Sequence, residues 1–133
     1  MSEIRYLTIQ EAIAINVAMI QRYSIGEQIG VKNPSLLESA VLRCQSSAFG
    51  NDAYPTLFDK AAALFGSLGQ NHPFHNGNNR TAFTAVVIFL RYNHLRFVMD
   101  TKLAEDFTVD MVNHKYTIDE LAAMILEHSV RLT

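Results

Sequence analysis

Residues 71–83, NHPFHNGNNRTAF, bring polar side chains together between two apolar stretches of the chain. If a helix begins near Gly77, the backbone N–H groups of its first turn are free and lie at the positive end of the helix dipole. A helix start of this kind binds anions, and phosphate is the commonest biological anion of suitable shape. Because Gly77 has no Cβ, a ligand can approach the backbone closely. The segment therefore predicts a phosphate site.

Two side chains next to this helix start could act on a bound phosphate. Arg80, one turn into the helix, can donate two parallel hydrogen bonds to a second phosphate group. His72, just before the helix, is of the residue type that takes up a proton at neutral pH. Together they predict nucleotide-dependent transfer of a group onto a hydroxyl.

Simpler interpretations of the same residues stay open. Asn and Gly before a helix are common capping and turn residues, and an arginine in a first turn is usually solvated. His72 and His75 could also begin a zinc site, although no Cys or further His follows at a suitable spacing.

Six helices are predicted to position the segment. Capping signals, such as Thr8 with Glu11 and Asn33 before Pro34, mark helix starts, and apolar residues follow at helical spacing. The predicted helices cover approximately residues 9–24, 34–48, 56–69, 77–92, 101–113 and 118–129. The fourth is apolar nearly all round, which predicts a central position, whereas residues 96–99 predict a short extended piece but no sheet. The expected fold is all-α, with a single domain over residues 1–133.

Composition restricts the class of protein. The 133 residues are 49% hydrophobic and 18% charged with a net charge of −2, which is typical of an ordinary globular domain. The sequence shows no basic face, so direct binding to nucleic acid is not expected. Its longest uncharged apolar stretch, residues 81–90, is half a membrane span, and the N-terminus lacks the basic start of a secretory signal. One cysteine, Cys44, excludes an internal disulfide and suits the cytoplasm, so we expect a cytoplasmic protein without a membrane partner.

Residues 72–82, HPFHNGNNRTA, resemble the Fic/Doc motif, H-P-F-x-[D/E]-G-N-[G/K]-R. The flanking text, AYPTLFDKAAALFGSLGQ before the motif and TAFTAVVIFLRYN at its end, looks like the Doc ("death on curing") branch of that family. The similarity runs over about residues 8–130. It implies an all-α Fic fold and the transfer of part of a nucleoside triphosphate such as ATP, with Mg²⁺, to a protein hydroxyl.

The resemblance assigns catalytic roles by position. His72 would be the general base that deprotonates a Ser, Thr or Tyr of the target protein, and Arg80 would hold a terminal phosphate. Phe74, the large apolar residue of the loop, would anchor the loop in the core.

The resemblance also implies a nucleotide and a metal site. Asn76, Gly77, Asn78, Asn79 and Arg80 would bind the nucleotide phosphates, and Asn76 would be the metal ligand.

Two positions depart from the family motif. Asn76 stands where the family has an acid, and Asn79 stands where it has Gly or Lys. Mg²⁺ prefers charged oxygen ligands. The amide oxygen of Asn76 can still bind the ion, but the site has one negative charge fewer than in the family. Asn79 can donate an amide N–H to phosphate, which is weaker than a lysine charge.

The resemblance leaves three functions open. AMP-transferring Fic enzymes carry a second arginine three residues after the first, whereas this chain has Phe83 there, as Doc-like members have an apolar residue. Doc-type proteins transfer the γ-phosphate, and the toxin that gave the branch its name acts on a translation elongation factor. Phe83 therefore favours a growth-arresting kinase. AMP transfer and a non-catalytic protein that binds nucleotide or antitoxin are the alternatives.

A protein partner is also implied. Doc-like toxins are neutralised by a small antitoxin whose C-terminal segment folds onto them. Fic proteins that inhibit themselves carry an [S/T]-x-x-x-E-[G/N] helix, and residues 101–106, TKLAED, fail at the last position. Restraint is therefore expected from an antitoxin. Tyr54 and Pro55 fall where Fic proteins have a flap that aligns the target peptide, although a plain turn is an equal alternative.

Overall fold

The computed structural model describes residues 3–132 and confirms a predominantly helical fold with six helices. The helices are α1 (Ile9–Tyr23), α2 (Pro34–Leu42), α3 (Leu57–Asn71), α4 (Asn78–Tyr92), α5 (Thr101–Val112) and α6 (Ile118–Glu127). The strands are β1 (Ser47–Ala48), β2 (Asn51–Asp52), β3 (Leu95–Phe97) and β4 (Ser129–Arg131).

Local side-chain signals set the helix starts. Three threonine N-caps form complete capping boxes, in which the threonine oxygen accepts from the N3 backbone and the N3 acid accepts from the cap backbone. The boxes are Thr8 with Glu11, Thr56 with Asp59, and Thr117 with Glu120. The predicted Asn33 cap with Pro34 at the first helical position is also confirmed.

Helices α3 and α4 together form the centre of the molecule. Residues 60–69 of α3 are all buried, and α3 contacts α2, α4, α5 and α6. Helix α4 contacts α1, α3 and α5, so it shares the central position that the sequence assigned to it alone. Cys44 is buried beside α3, and this burial raises the pKa of its thiol to about 11. The thiol therefore stays protonated and packs as a small apolar group.

Side-chain hydrogen bonds fasten α1 to α4 at two levels. Near the start of α1, the Tyr92 hydroxyl donates to the Glu11 carboxylate, and this bond is the main cause of a lowered pKa for Glu11. In the middle of α1, the buried Asn16 amide donates to the Thr81 hydroxyl over 3.1 Å. Both ends of α4 are thus held against α1.

The predicted extension of α2 to Ala48 is wrong. Helix α2 ends at Leu42 and a 3₁₀ turn follows, after which β1 and β2 form an antiparallel hairpin with Ala48 exposed. At the hairpin tip, Phe49 and Gly50 have φ angles of 54° and 80°. Positive φ at both central residues matches the twist of a hairpin, so turn geometry overrode the apolar spacing.

The short extended piece predicted at residues 96–99 is confirmed as β3, but it is part of a two-stranded sheet that was not expected. Strand β3 pairs antiparallel with β4, and Phe97 lies opposite Ser129. The sixth helix was predicted to reach residue 129, but α6 ends at Glu127 and the chain turns back. The partner strand lies beyond α5 and α6, and such a pairing leaves no local signal in either short segment.

The hairpin of β1 and β2 is tied to α3 through Lys60. This lysine is 1% exposed, and its Nζ donates to the Tyr54 carbonyl and lies 3.2 Å from Asp52 Oδ2. The Arg43 Nε donates to the Tyr54 hydroxyl over 2.8 Å. Tyr54 is therefore held both by α3 and by Arg43, and its role in a flap stays a prediction.

Among residues 3–132, no helix is both long enough and apolar enough to cross a membrane.

Replacing Lys60 with Met should loosen the hairpin. We expect chymotrypsin to cut after the fully exposed Phe49 about tenfold faster, because a lost hydrogen bond to a charged donor releases the hairpin. Lys102→Met is the matched control, since Lys102 forms an exposed ion pair with Asp106 that contributes little. Equal cleavage rates in Lys60→Met and the wild type would show that Lys60 does not hold the hairpin against α3.

Candidate active site

The chain leaves α3 through a strained residue. His72 follows α3 with φ 47° and ψ 56°, in the left-handed region, and its side chain is exposed. This conformation is uncommon for a residue with a Cβ, but it is a regular way to end a helix, and His94 and His114 adopt it after α4 and α5. It turns the chain at the end of the helix, so the predicted general base stands at the junction of α3 and the motif loop, residues 72–77.

The motif loop is closed on itself by Asn78. The Phe74 N–H donates to Asn78 Oδ1 and the Asn78 Nδ2 donates to the Phe74 carbonyl, both over 3.0 Å. The Phe74 side chain is 1% exposed, as expected of an anchor. Since both ends of the Asn78 amide hold the loop, this residue can offer a phosphate its backbone N–H rather than its side chain.

The segment before α2 pairs with the motif loop from the other side. Val31 forms an antiparallel bridge with Phe74, and the His75 N–H donates to the Gly30 carbonyl over 3.1 Å. The Asn76 Nδ2 donates to the Gln28 carbonyl over 3.0 Å. These bonds fix the orientation of the Asn76 amide and leave its Oδ1 as the acceptor.

Gly77 is required by packing as well as by backbone conformation. Its φ is +74°, and a Cβ there would lie 3.2 Å from Asn16 Nδ2 and 3.2 Å from Ile20 Cγ1. The open side of Gly77 therefore faces α1, whereas the sequence suggested that a ligand uses this space. The Asn16 Nδ2 also donates to the Asn76 carbonyl over 2.8 Å, directly before Gly77.

The start of α4 presents free backbone donors. The first helical hydrogen bond runs from the Thr81 N–H to the Gly77 carbonyl, and Gly77 provides no side-chain cap. The N–H groups of Asn78, Asn79 and Arg80 therefore precede the intrahelical ladder and lie at the positive end of the dipole. This is the arrangement that binds phosphate at helix starts.

The predicted site residues line one open cavity of about 340 Å³, which we call the motif cavity. Residues 76–80 all contribute to its wall, together with Ser24, His72 and His75. The structure thus brings His72 and Arg80 to the same space as the free N–H groups. Their roles in catalysis and nucleotide binding stay predictions.

A second cavity of about 500 Å³, the apolar groove, lies between α1, α4 and α5. It shares Asn79 and Arg80 with the motif cavity, and Met19, Phe83 and Met99 contribute apolar wall. The charged residues that line it within the described part of the chain are Arg80 and Glu105. Phosphate therefore fits the motif cavity better than the groove.

The donor set permits Mg²⁺ only in company with a nucleotide. Within residues 3–132, no three His, Cys, Asp or Glu side chains are grouped as a metal site requires. Asn76 can offer one neutral oxygen, because its nitrogen is engaged with Gln28. Mg²⁺ commonly takes one or two protein oxygens and completes its shell with water and substrate phosphates. The residues therefore fit an ion carried by nucleotide phosphates, but not one held by protein alone.

Sequence reasoning missed two side chains of this region. Asn16 interrupts an apolar stretch of α1, IAINVAMI, and a buried amide in such a place needs hydrogen-bond partners. Tyr23, at the end of α1, stacks on Arg80. The first left a signal in the sequence, whereas the second left none, because an aromatic residue near a helix end is ordinary.

Fold and site together define a class: a helical protein whose motif loop brings a histidine, an arginine and a helix N-terminus into one cavity. The chain belongs to the Fic/DOC family, whose sequence model matches residues 6–90. It is 39% identical over 102 residues to Toxin Doc of Mycolicibacterium smegmatis, covering 75% of this chain and 78% of that protein. It is 28% identical over 118 residues to Protein kinase doc of Escherichia phage P1, covering 89% and 90%.

Gly77→Ala should destabilise the fold by about 2–4 kcal/mol, because the left-handed φ and the contact with α1 both oppose a Cβ. Gly50→Ala is the control, since Gly50 has φ +80° and a Cβ at this position would have no atom within 4 Å. It should cost only about 1 kcal/mol. Urea unfolding measures both, and equal losses would show that packing against α1 contributes nothing.

Asn76→Asp should lower the stability of the fold in the absence of Mg²⁺ and nucleotide. A carboxylate oxygen would replace the N–H that meets the Gln28 carbonyl, and we expect a loss of about 1–2 kcal/mol in the free energy of unfolding. Asn79→Asp adds the same charge in the first turn of α4, where the helix dipole should stabilise it by about 0.3–1 kcal/mol. Chemical denaturation of both variants tests this. An Asn76→Asp protein as stable as the wild type would show that the hydrogen bond from Asn76 to Gln28 contributes nothing.

Proposed function

We propose that this protein is a Doc-type toxin that transfers the γ-phosphate of ATP to a hydroxyl of a target protein. Membership of the Fic/DOC family and similarity to proteins named Toxin Doc and Protein kinase doc support this function. The translation elongation factor implied by the resemblance is the first acceptor to test, and such an acceptor requires action in the cytoplasm.

The observation that carries the choice of a kinase is the apolar groove beside Arg80. If the α-phosphate lay in the motif cavity, the remaining phosphates would extend past Arg80 and need a second cation. Phe83 occupies the position of the second arginine, and Glu105 adds a negative charge to the groove. A phosphate chain is repelled there, whereas a nucleoside can pack against apolar walls. This favours the terminal phosphate in the motif cavity.

The chain's own residues can perform the transfer as follows. The target hydroxyl oxygen attacks the γ-phosphorus, its proton passes to His72, and the bond to the bridging oxygen breaks so that ADP leaves. Arg80 and the N–H groups that begin α4 stabilise the phosphoryl oxygens through charge and hydrogen bonds. Catalysis of this kind depends on positioning, and the motif loop is held from both sides.

Mg²⁺, when bound with ATP, would neutralise phosphate charge, and Asn76 would be its protein ligand. Because Asn76 and Asn79 are neutral, Arg80 is the sole positive side chain of fixed charge among the residues that line the motif cavity.

We also propose that a small antitoxin occupies the apolar groove. The groove is open, its walls include Met19, Phe83 and Val109, and it adjoins Arg80. An apolar segment of the antitoxin seated there would exclude the nucleoside and so prevent transfer. This explains how restraint can come from a partner although residues 101–106 do not complete the self-inhibitory motif.

A labelling experiment tests the proposed reaction. The protein is incubated with bacterial lysate, Mg²⁺ and ATP labelled at either the γ- or the α-phosphate. We expect label on protein only from the γ-position. His72→Ala should reduce transfer by about 10²–10⁴-fold, because the general base is lost, and should also abolish growth arrest on expression.

His75→Ala is the matched control, because His75 is also exposed and lines the same cavity. It should retain transfer within a few-fold. Label from the α-position alone would establish AMP transfer instead. No label from either position, together with intact ATP binding, would favour a non-catalytic binding protein.

A further inference from the structure

The guanidinium of Arg80 lies over an aromatic ring and forms no ion pair among the described residues. Its Cζ lies 4.0 Å from the centroid of the Tyr23 ring, and both side chains are exposed at the end of α1 and the start of α4. The ion pairs among residues 3–132 all involve lysines, so Arg80 has no acidic partner there. The same ring lies farther from Arg22, at 5.3 Å.

This form of contact leaves the hydrogen-bonding capacity of Arg80 intact. A guanidinium stacks on a ring through its flat face, whereas its five N–H donors point outward in its plane. An acidic partner would occupy those donors and compete with phosphate. Stacking instead restricts the side chain and keeps the fork of donors available for bidentate contact with a phosphate.

We propose that Tyr23 is a positioning residue for Arg80. Its ring holds the guanidinium between the motif cavity and the apolar groove, where both residues line the groove wall and Arg80 also lines the motif cavity. The in-plane donors then meet the terminal phosphate of ATP. The inference rests on the proposed function for the identity of the ligand, but the stacking itself can be tested without any nucleotide.

The first test measures the stacking by NMR in the ligand-free protein. Protons held over an aromatic face are shielded by the ring current, so the Arg80 Nε–H signal should be shifted upfield in the wild type. Tyr23→Phe keeps the ring and should preserve the shift. Tyr23→Leu should return the signal to the position of a solvated arginine. An unchanged signal in Tyr23→Leu would overturn the proposal.

The second test is a double-mutant cycle on ATP affinity, measured by calorimetry with Mg²⁺ present. Tyr23→Leu should weaken ATP binding by about 2- to 5-fold, the range expected for an exposed cation–π contact, and Tyr23→Phe should bind within about 2-fold of the wild type. In an Arg80→Ala background, Tyr23→Leu should have no further effect, because the residue it positions is absent.

The outcomes separate this inference from the proposed function. Equal weakening by Tyr23→Leu in both backgrounds would mean that Tyr23 acts independently of Arg80, and positioning would be refuted. A wild-type protein that binds no ATP would refute the proposed function and the phosphate-holding role together, even if the ring-current shift persisted. A ring-current shift that depends on Tyr23, together with an effect of Tyr23→Leu on ATP affinity that disappears in the Arg80→Ala background, supports positioning and the phosphate-holding role of Arg80.

Discussion

The amide of Asn16 is the contact on which the geometry of the candidate site depends. The side chain is 1% exposed, and its nitrogen donates both to the Asn76 carbonyl in the motif loop and to the Thr81 hydroxyl in α4. A buried amide is stable only when it is hydrogen-bonded, so these three residues fix one another. Gly77 lies between the two acceptors, and α1 packs so closely that a Cβ at Gly77 would crowd the same amide. Helix α1 therefore sets where α4 begins.

The motif loop is organised by side-chain amides rather than by charge. Asn78 pairs with the backbone of Phe74, and Asn76 pairs with the carbonyl of Gln28. Neutral amides can both donate and accept, so they bind the loop to its neighbours without repelling a phosphate or attracting a solvated cation. Among the residues that line the motif cavity, the fixed positive charge is therefore that of Arg80, whereas the asparagines maintain the shape of the loop.

Much of the fold was predictable because its signals are local. The capping boxes at Thr8 and Thr117 occupy four residues each, and the loop motif occupies one short segment. The buried face of α1 was harder to predict, because the apolar residues of this helix lie on more than one of its sides. Helical spacing predicts one apolar stripe of Ile9, Ile13, Val17 and Ile20, of which Ile20 is buried, whereas the other buried residues of α1 are Ala12, Ile15 and Asn16. The pairing of β3 with β4 also depends on packing of distant segments, which neither segment encodes alone.

The candidate site illustrates the same division. The residues proposed to perform chemistry can be identified from the motif, but which contact each asparagine makes can be seen only in the three-dimensional structure. Asn78 is predicted to bind phosphate, and because its side-chain amide closes the loop, its backbone N–H is the group left for that role. Arg80 looked like a solvated or ligand-bound cation, and its guanidinium lies against Tyr23. The motif loop is held by hydrogen bonds on both sides, and Arg80 is the fixed positive charge beside it. A group that positions Arg80 should leave its N–H donors free for phosphate. An aromatic face at the end of α1 meets that requirement, and α1 is the helix that Asn16 already fixes against the loop.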